Sequence, residues 1–166
     1  TGIDFQLPEA PLFSQKYLKG EKASQPSIYI GSSVWSDKDF KGNFYPEKTP
    51  QKNFLKEYSK QFNTVEVNAT RYGTPRASTL ETWKSNVPEG FKLCFKMPQI
   101  ITQRKNLLSI DVLARLEQFI LAMDSMGSKS GTTFILLQNS FNKERLPELR
   151  GFLEQLPNSQ KFAIEV

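Results

Sequence analysis

The sequence contains no histidine and only one cysteine, Cys94, in 166 residues. Without histidine, the chain cannot supply its own Ser–His–Asp or Cys–His machinery, or a histidine-based zinc site. A single cysteine excludes an intramolecular disulfide and any Cys-x-x-Cys motif. Sparse cysteine use is typical of proteins of the reducing cytoplasm, which we expect to be the location of this protein.

Long apolar runs and strong charge of one sign are also missing. No apolar run approaches the ~20 residues that a membrane-spanning helix needs, so we expect no contact with the membrane interior. The chain carries 22 Lys+Arg against 17 Asp+Glu, a net charge of +5. The basic residues are scattered rather than clustered, which favours an ordinary solvated surface over a nucleic-acid-binding face.

An alternation of strand-like and helix-like segments follows a polar, proline-containing lead-in at residues 1–26, which we interpret as an N-terminal extension. Strands are predicted at 27–35, 64–70, 92–97, 132–138 and 161–166, and helices at 52–62, 78–86, 111–126 and 144–156. This order predicts an α/β fold with a parallel sheet, either doubly wound and open or closed as a (β/α) barrel. Five strands cannot close an eight-stranded barrel, so the pattern fits a five-stranded open sheet or the N-terminal part of a larger barrel.

Side-chain alternation in the predicted strands brings polar residues to one edge of the sheet. Glu66 and Asn68 share a face of the second strand, opposite its two valines, while Lys96 and Glu165 take the equivalent face of the third and fifth strands. All four lie near the carboxyl ends of parallel strands, where ligands bind in both topologies. The sequence therefore predicts Glu66, Lys96 and Glu165 as an acid–base set, with a structural ion pair as the alternative interpretation.

The predicted loops at the same edge add candidate ligand-binding residues. Trp35 and Tyr45 in the first loop, with Tyr72 in the second, are predicted to form an aromatic wall; the alternative is ordinary loop packing. Arg71 and Arg104 are predicted to recruit an anionic group, unless they are simply solvated. The amides of Asn68, Gln103 and Gln138 are predicted to hydrogen-bond the ligand.

The sequence specifies no metal and no cofactor. Asp37, Glu66 and Glu165 offer oxygen atoms suited to Mg²⁺ or Mn²⁺, but nothing in their spacing requires a metal ion. Cys94 lies within a strand without a neighbouring histidine, which favours a buried, unreactive thiol.

Four segments form a distinctive combination: GSSVWSDKDFKGNFYP (31–46), LKEYSKQFNTVEVNATRYGTP (55–75), VPEGFKLCFKMPQIIT (87–102) and FAIEV (162–166). Together they resemble the YecE-like family, also known as domain of unknown function 72. The resemblance implies a TIM barrel occupying residues 27–166 and truncated after the fifth strand, since the family continues through further strands. It implies no secure reaction, because the label "sugar-isomerase-related" rests on analogy between folds.

The sequence departs from the pattern of that family in three places. Arg71 stands where the family usually has an aromatic residue, and Gln103 stands where it usually has histidine. Asn139 and Ser140 replace a Leu–Pro–Pro run. If the histidine is the acid–base residue of the family, that role is lost here, since glutamine only donates and accepts hydrogen bonds.

Three hypotheses about function follow. The first is a barrel enzyme acting on a small polar, anionic or sugar-like ligand, with Glu66 or Glu165 as general base and Lys96 as proton donor or electrostatic stabiliser. The second is a non-catalytic module that binds nucleic acid or a small ligand. The third is a degenerate family member with an empty pocket. The sequence does not predict an oligomeric state.

Overall fold

The computed structural model describes residues 25–165 together with Leu12. Most of the predicted extension at 1–26, and the final residue of the predicted fifth strand, lie outside the described residues. Within residues 25–165, no helix combines the length and the apolar character needed to cross a bilayer.

Helices and parallel strands alternate through the described chain, which confirms the α/β prediction. In chain order they are α1 (Phe54–Tyr58), β1 (Thr64–Val67), α2 (Ala77–Asn86), β2 (Lys92–Phe95), α3 (Gln99–Thr102), α4 (Ile110–Asp124), β3 (Thr133–Leu136), α5 (Leu146–Leu153) and β4 (Phe162–Glu165). Short 3₁₀ helices lie at Lys38–Phe40, Gln51–Asn53, Asn68–Tyr72, Gly127–Lys129 and Lys143–Arg145.

The strands pair in parallel as β1 with β2 and as β3 with β4. Two isolated parallel bridges, Leu93↔Ser130 and Lys96↔Phe134, join β2 to β3. Between these bridges, residues 131–133 lie opposite residues 94–95, so one extra residue interrupts the ladder as a β-bulge does. Gly131 suits this place, because a Cβ there would lie 2.7 Å from the Sγ atom of Cys94.

The predicted first strand, 27–35, is wrong as an element, so the described chain has four of the five predicted strands. The segment does lie beside β1, where the carbonyls of Ile30 and Ser32 accept hydrogen bonds from β1 and the residue before it. The amides of this segment donate to side chains rather than to the backbone of β1. Asn63 Oδ1 accepts from the Ile30 amide at 2.7 Å, and the Tyr58 hydroxyl accepts from the Ser32 amide at 2.6 Å.

Glycine is required in this segment. A Cβ at Gly31 would lie 1.9 Å from the carbonyl oxygen of Thr64, so no other residue fits without moving β1. Because the two segments approach closely, the Tyr58 hydroxyl contacts both of them: it accepts from the Ser32 amide and donates to the Thr64 carbonyl at 3.0 Å.

The core lies between the sheet and the helices. Val65, Val67, Leu93 and Phe95 alternate with less buried residues along β1 and β2, and each is at most 1% exposed. Burial of side chains of this size stabilises the fold by roughly 1.5–3 kcal/mol each. The other face of these strands is therefore free to carry polar residues.

The apolar face of α4 is rotated from the predicted stripe. The stripe predicted from periodicity is Leu113, Leu116, Ile120 and Met123. The fully buried residues are Val112, Leu116, Phe119 and Met123, while Leu113 and Ile120 are only partly buried against the core.

Candidate functional site

Three charged side chains meet at the carboxyl edge of the sheet, on the face opposite the buried valines. The Nζ atom of Lys96 lies 3.5 Å from Glu66 Oε1 and 3.9 Å from Glu165 Oε2. The Lys96 side chain is 14% exposed, against 31% for Glu66 and 60% for Glu165. The ammonium group is thus enclosed between two carboxylates that remain open to solvent.

The strands bring these residues together. Glu66 is the third residue of β1 and lies opposite Cys94 of β2, while Lys96 follows the last residue of β2. Glu165 is the last residue of β4, opposite Leu136 of β3. Because all strands run in the same direction, the three side chains meet at one edge although 99 positions separate the first from the last.

The 3₁₀ helix Asn68–Tyr72 follows β1 at this same edge and carries three predicted ligand-binding residues. Asn68 donates from Nδ2 to the Ser33 carbonyl at 3.0 Å, which ties this helix to the preceding loop. The Nε atom of Arg71 is buried and has no hydrogen-bond partner among the described residues. Tyr72 is 79% exposed, so its ring is available to a ligand.

The two aromatic residues predicted in the first loop have different environments. The indole of Trp35 packs edge-on against Trp83, with ring centroids 5.7 Å apart, and stays partly exposed. Tyr45 is 2% exposed and packs against Phe54 in the core. Its hydroxyl donates to the Trp35 carbonyl at 2.7 Å, and burial raises the pKa of Tyr45 to about 12. The structure therefore places Tyr45 behind the loop rather than in an exposed wall.

Gln103, Arg104 and Gln138 form a separate group on the neighbouring loops. Gln138 Nε2 donates to the Gln103 carbonyl at 2.8 Å, and Arg104 Nε donates to the Ile100 carbonyl at 3.0 Å. The three line a shallow groove of about 450 Å³ together with Asp111. A hydrogen bond from Ser109 and the nearby charge of Arg104 lower the pKa of Asp111. Within the described residues, none of the three is hydrogen-bonded or ion-paired to Lys96 or its carboxylates.

Sequence reasoning missed a tight ion pair behind that groove. Arg145 donates to both carboxylate oxygens of Glu148, at 2.7 and 2.9 Å, and to the carbonyls of Arg104 and Lys105. The Leu107 amide donates to the same carboxylate at 2.5 Å. The hydrogen bond from Arg145 lowers the pKa of Glu148, and the carboxylate raises the pKa of Arg145. The only signal in the sequence is an Arg–Glu pair three residues apart at the start of α5.

A cavity of about 570 Å³ opens at the opposite, amino edge of the sheet. It is lined by residues that include Lys92, Cys94 and Gln160. The Sγ atom of Cys94 lies 3.5 Å from Thr64 Oγ1, and the thiol is partly buried. Within the described part of the chain, no three His, Cys, Asp or Glu residues are grouped so that they could hold a metal ion.

Comparisons with known proteins agree on one family. The sequence profile described as "Protein of unknown function DUF72" matches residues 29–166. The chain is 31% identical to the UPF0759 protein YecE of Escherichia coli K12 over 140 residues, covering 84% of this chain and 48% of YecE. It is 37% identical to the UPF0759 protein YunF of Bacillus subtilis over 75 residues, covering 45% of this chain and 26% of YunF. The chain therefore spans about half the length of the E. coli relative.

Solved structures show the same fold. A DUF72 family protein from Thermotoga maritima superposes with a TM-score of 0.64 and 24% identity, covering 82% of this chain and 54% of that one. A DUF72 family protein from Enterococcus faecalis superposes with a TM-score of 0.66 and 20% identity, covering 84% and 50%.

Proposed function

The chain belongs to the DUF72 family of proteins of unknown function, and from this membership and the geometry above we propose that it contributes the acid–base site of a (β/α) barrel enzyme. The substrate is a small polar, anionic or sugar-like molecule. One observation carries the proposal: an ammonium group lies between two solvent-accessible carboxylates at the carboxyl edge of parallel strands. This edge holds the active site in barrel enzymes.

The strand order supports a barrel of the TIM type. Each described strand lies beside the next one in the sequence, and every pairing and bridge is parallel. A doubly wound sheet instead reverses its strand order at a switch point, and no such reversal occurs between β1 and β4. The region proposed for the barrel is 27–166.

The proposed chemistry is proton transfer. The carboxylate of Glu66 or Glu165 takes a proton from the bound ligand, and the Lys96 ammonium stabilises the negative charge that develops or returns a proton to it. The distances of 3.5 and 3.9 Å are longer than the ~2.8 Å of a close charged hydrogen bond, so both contacts are weak and the ammonium group can exchange one of them for a ligand oxygen.

The surrounding residues are assigned to binding. Arg71 has a guanidinium whose buried Nε atom lacks a hydrogen-bond partner among the described residues, and we assign this group to a carboxylate or phosphate on the ligand. Tyr72 offers a largely exposed ring and Trp35 a partly exposed one, and Asn68 lies between Glu66 and Tyr72 in the chain. Gln103, Arg104 and Gln138 belong to the outer groove, where they meet the far end of a longer ligand. The single cysteine supports the cytoplasm as the proposed location.

A thermal-shift experiment tests this proposal. The melting temperature of the wild-type chain is measured with a neutral hexose, a hexose phosphate and a sugar acid, and again for Glu66→Gln. Glu57→Gln is the matched control, because Glu57 also pairs with a lysine, Lys60 at 2.7 Å, but lies on α1. We expect at least one compound to raise the melting temperature of wild type and control but not of Glu66→Gln. The proposal fails if none does, or if the shift survives in Glu66→Gln.

One observation favours a second candidate, a module that binds nucleic acid. Tyr72 is 79% exposed and lies between Arg71 and the exposed Arg76, which is a combination suited to stacking on a base beside a phosphate. Binding of a single-stranded oligonucleotide would weaken steeply with salt, whereas binding of a neutral sugar would not. Salt-independent binding of a sugar would decide against this candidate.

A further inference from the structure

At Lys96 the chain has lost its neighbouring strand on one side, where β1 has ended, but still has β3 on the other side. The last paired residues of β1 and β2 are Val67 and Phe95, and β1 then turns into the 3₁₀ helix Asn68–Tyr72. On the other side, β3 still follows the chain, since the Met97 amide donates to the Phe134 carbonyl at 2.8 Å. The amide and carbonyl of Lys96 therefore face the side that β1 has left.

A single side chain satisfies both of these groups. Thr70 Oγ1 accepts a hydrogen bond from the Lys96 amide at 3.0 Å and donates to the Lys96 carbonyl at 2.7 Å. The same oxygen lies 2.8 Å from the Val67 carbonyl, so the hydroxyl proton is shared between the end of β1 and Lys96. Thr70 is 0% exposed, so its hydroxyl is shielded from bulk solvent.

The position of the Lys96 backbone also determines where the ammonium group of this residue lies. Buried backbone amides and carbonyls require partners, and Thr70 supplies the partner for both groups of Lys96 on the side that β1 has left, while β3 holds the other side. The Lys96 side chain starts from that backbone and must reach Glu66 and Glu165 at once, at 3.5 and 3.9 Å. A shift of about 1 Å in its starting point is enough to disturb such a constellation.

We propose that Thr70 is the positioning residue of Lys96, setting the place of its ammonium group between the two carboxylates. The importance of this placement for chemistry rests on the proposed function, whereas the placement itself does not. Thr70 touches no ligand in this account and acts through the Lys96 backbone.

Chemical labelling of lysines tests the proposal without a substrate. Wild type, Thr70→Val and Thr70→Ser are treated briefly with an acetylating reagent, and acetylation of each lysine is followed by peptide mass spectrometry. Valine keeps the shape of threonine but loses the hydroxyl, and serine keeps the hydroxyl. Two lysines are internal references: Lys60, whose side chain is 59% exposed, and Lys129, at 10%, which donates to the carbonyls of Lys84 and Val87.

We expect Thr70→Val to raise the acetylation rate of Lys96 several-fold, toward the rate of Lys60, while Lys129 stays slow. Thr70→Ser should restore the wild-type rate at Lys96. A purely structural role for Thr70 predicts a different result, in which Lys96 and Lys129 become reactive together because the whole fold opens. That result, or an unchanged rate at Lys96 in Thr70→Val, would overturn the proposal.

A second measurement covers the case in which Thr70→Val does not fold. Hydrogen exchange in the wild-type chain should protect the Lys96 amide as well as the amides inside β2, although Lys96 lies beyond the last residue of the strand. Fast exchange at Lys96 would contradict the proposal. Neither experiment uses a ligand, so their outcome is independent of the thermal-shift test of function.

Discussion

Two clusters of charged side chains lie at the carboxyl side of the sheet, and they differ in how completely their members are paired. Arg145 and Glu148 form a forked pair at 2.7 and 2.9 Å, and their remaining hydrogen bonds hold the loop at residues 104–107. Lys96 lies 3.5 and 3.9 Å from its two carboxylates, which are partly or largely exposed.

The difference distinguishes a pair that stabilises a loop from the cluster that we propose as the functional site. A forked arginine–carboxylate pair with further backbone partners uses both carboxylate oxygens within the protein, and its geometry is what stabilises a loop. A loosely paired ammonium between open carboxylates stabilises little but can exchange partners. The first cluster holds the neighbouring loop in place, whereas the second one keeps its carboxylates open to solvent.

The largest expected effect is on stability, and it separates the two clusters directly. We expect Arg145→Met to lower the free energy of unfolding by about 2 kcal/mol, because it leaves Glu148 and two loop carbonyls without their partner. The matched variant Lys96→Met should cost less than about 1 kcal/mol, since both carboxylates can be hydrated. Urea denaturation of both variants measures the difference. Equal losses, or a larger loss for Lys96→Met, would break the comparison.

The pH dependence of stability gives a smaller effect. The pKa of Glu148 is lowered in the folded chain by its hydrogen bond from Arg145, relative to an ordinary value of 4.5. Its contribution to stability is therefore complete above that value and is lost as the pH falls through the lowered pKa of the folded state. Urea denaturation between about pH 6 and about pH 3 should show a steeper acid loss in wild type than in Glu148→Gln. Identical acid profiles would show that the Arg145–Glu148 pair adds nothing to stability.

The sequence predicted the polar face of the sheet well, because alternation along a strand depends only on backbone geometry. Val65 and Val67 are buried, and Glu66 lies on the opposite face. Parallel strands then bring Glu66, Lys96 and Glu165 to one edge, which requires the strand order but no detail of packing. The roles of these residues stay a proposal.

Features that depend on tertiary contacts were not predictable. The strand predicted at 27–35 has suitable residues, but Asn63 and Tyr58 occupy its hydrogen-bonding groups with their side chains. The apolar repeat of α4 predicted the helix but not which of its faces is buried. Val112 and Leu113 are both apolar, and only packing against the core determines that Val112 is the more buried one.

Side-chain to backbone contacts across the sequence were missed for the same reason. The Arg145–Glu148 pair and Thr70 act on residues 26 to 41 positions away, and no local pattern marks such partners. Tyr45 was predicted in an exposed wall from its place in an aromatic loop. Its burial becomes visible only when the loop is packed against α1.

The most direct test of the proposed site is an NMR titration of backbone amides with the same sugar, sugar phosphate and sugar acid. We predict that a binding compound shifts the amide signals of Glu66, Asn68, Lys96 and Glu165 and leaves those of Arg145 and Glu148 unchanged. The shifts should disappear in Glu66→Gln. Shifts confined to the outer groove or to the cavity at the amino edge, or no shifts with any of the three compounds, would contradict the assignment of the Lys96 cluster as the functional site.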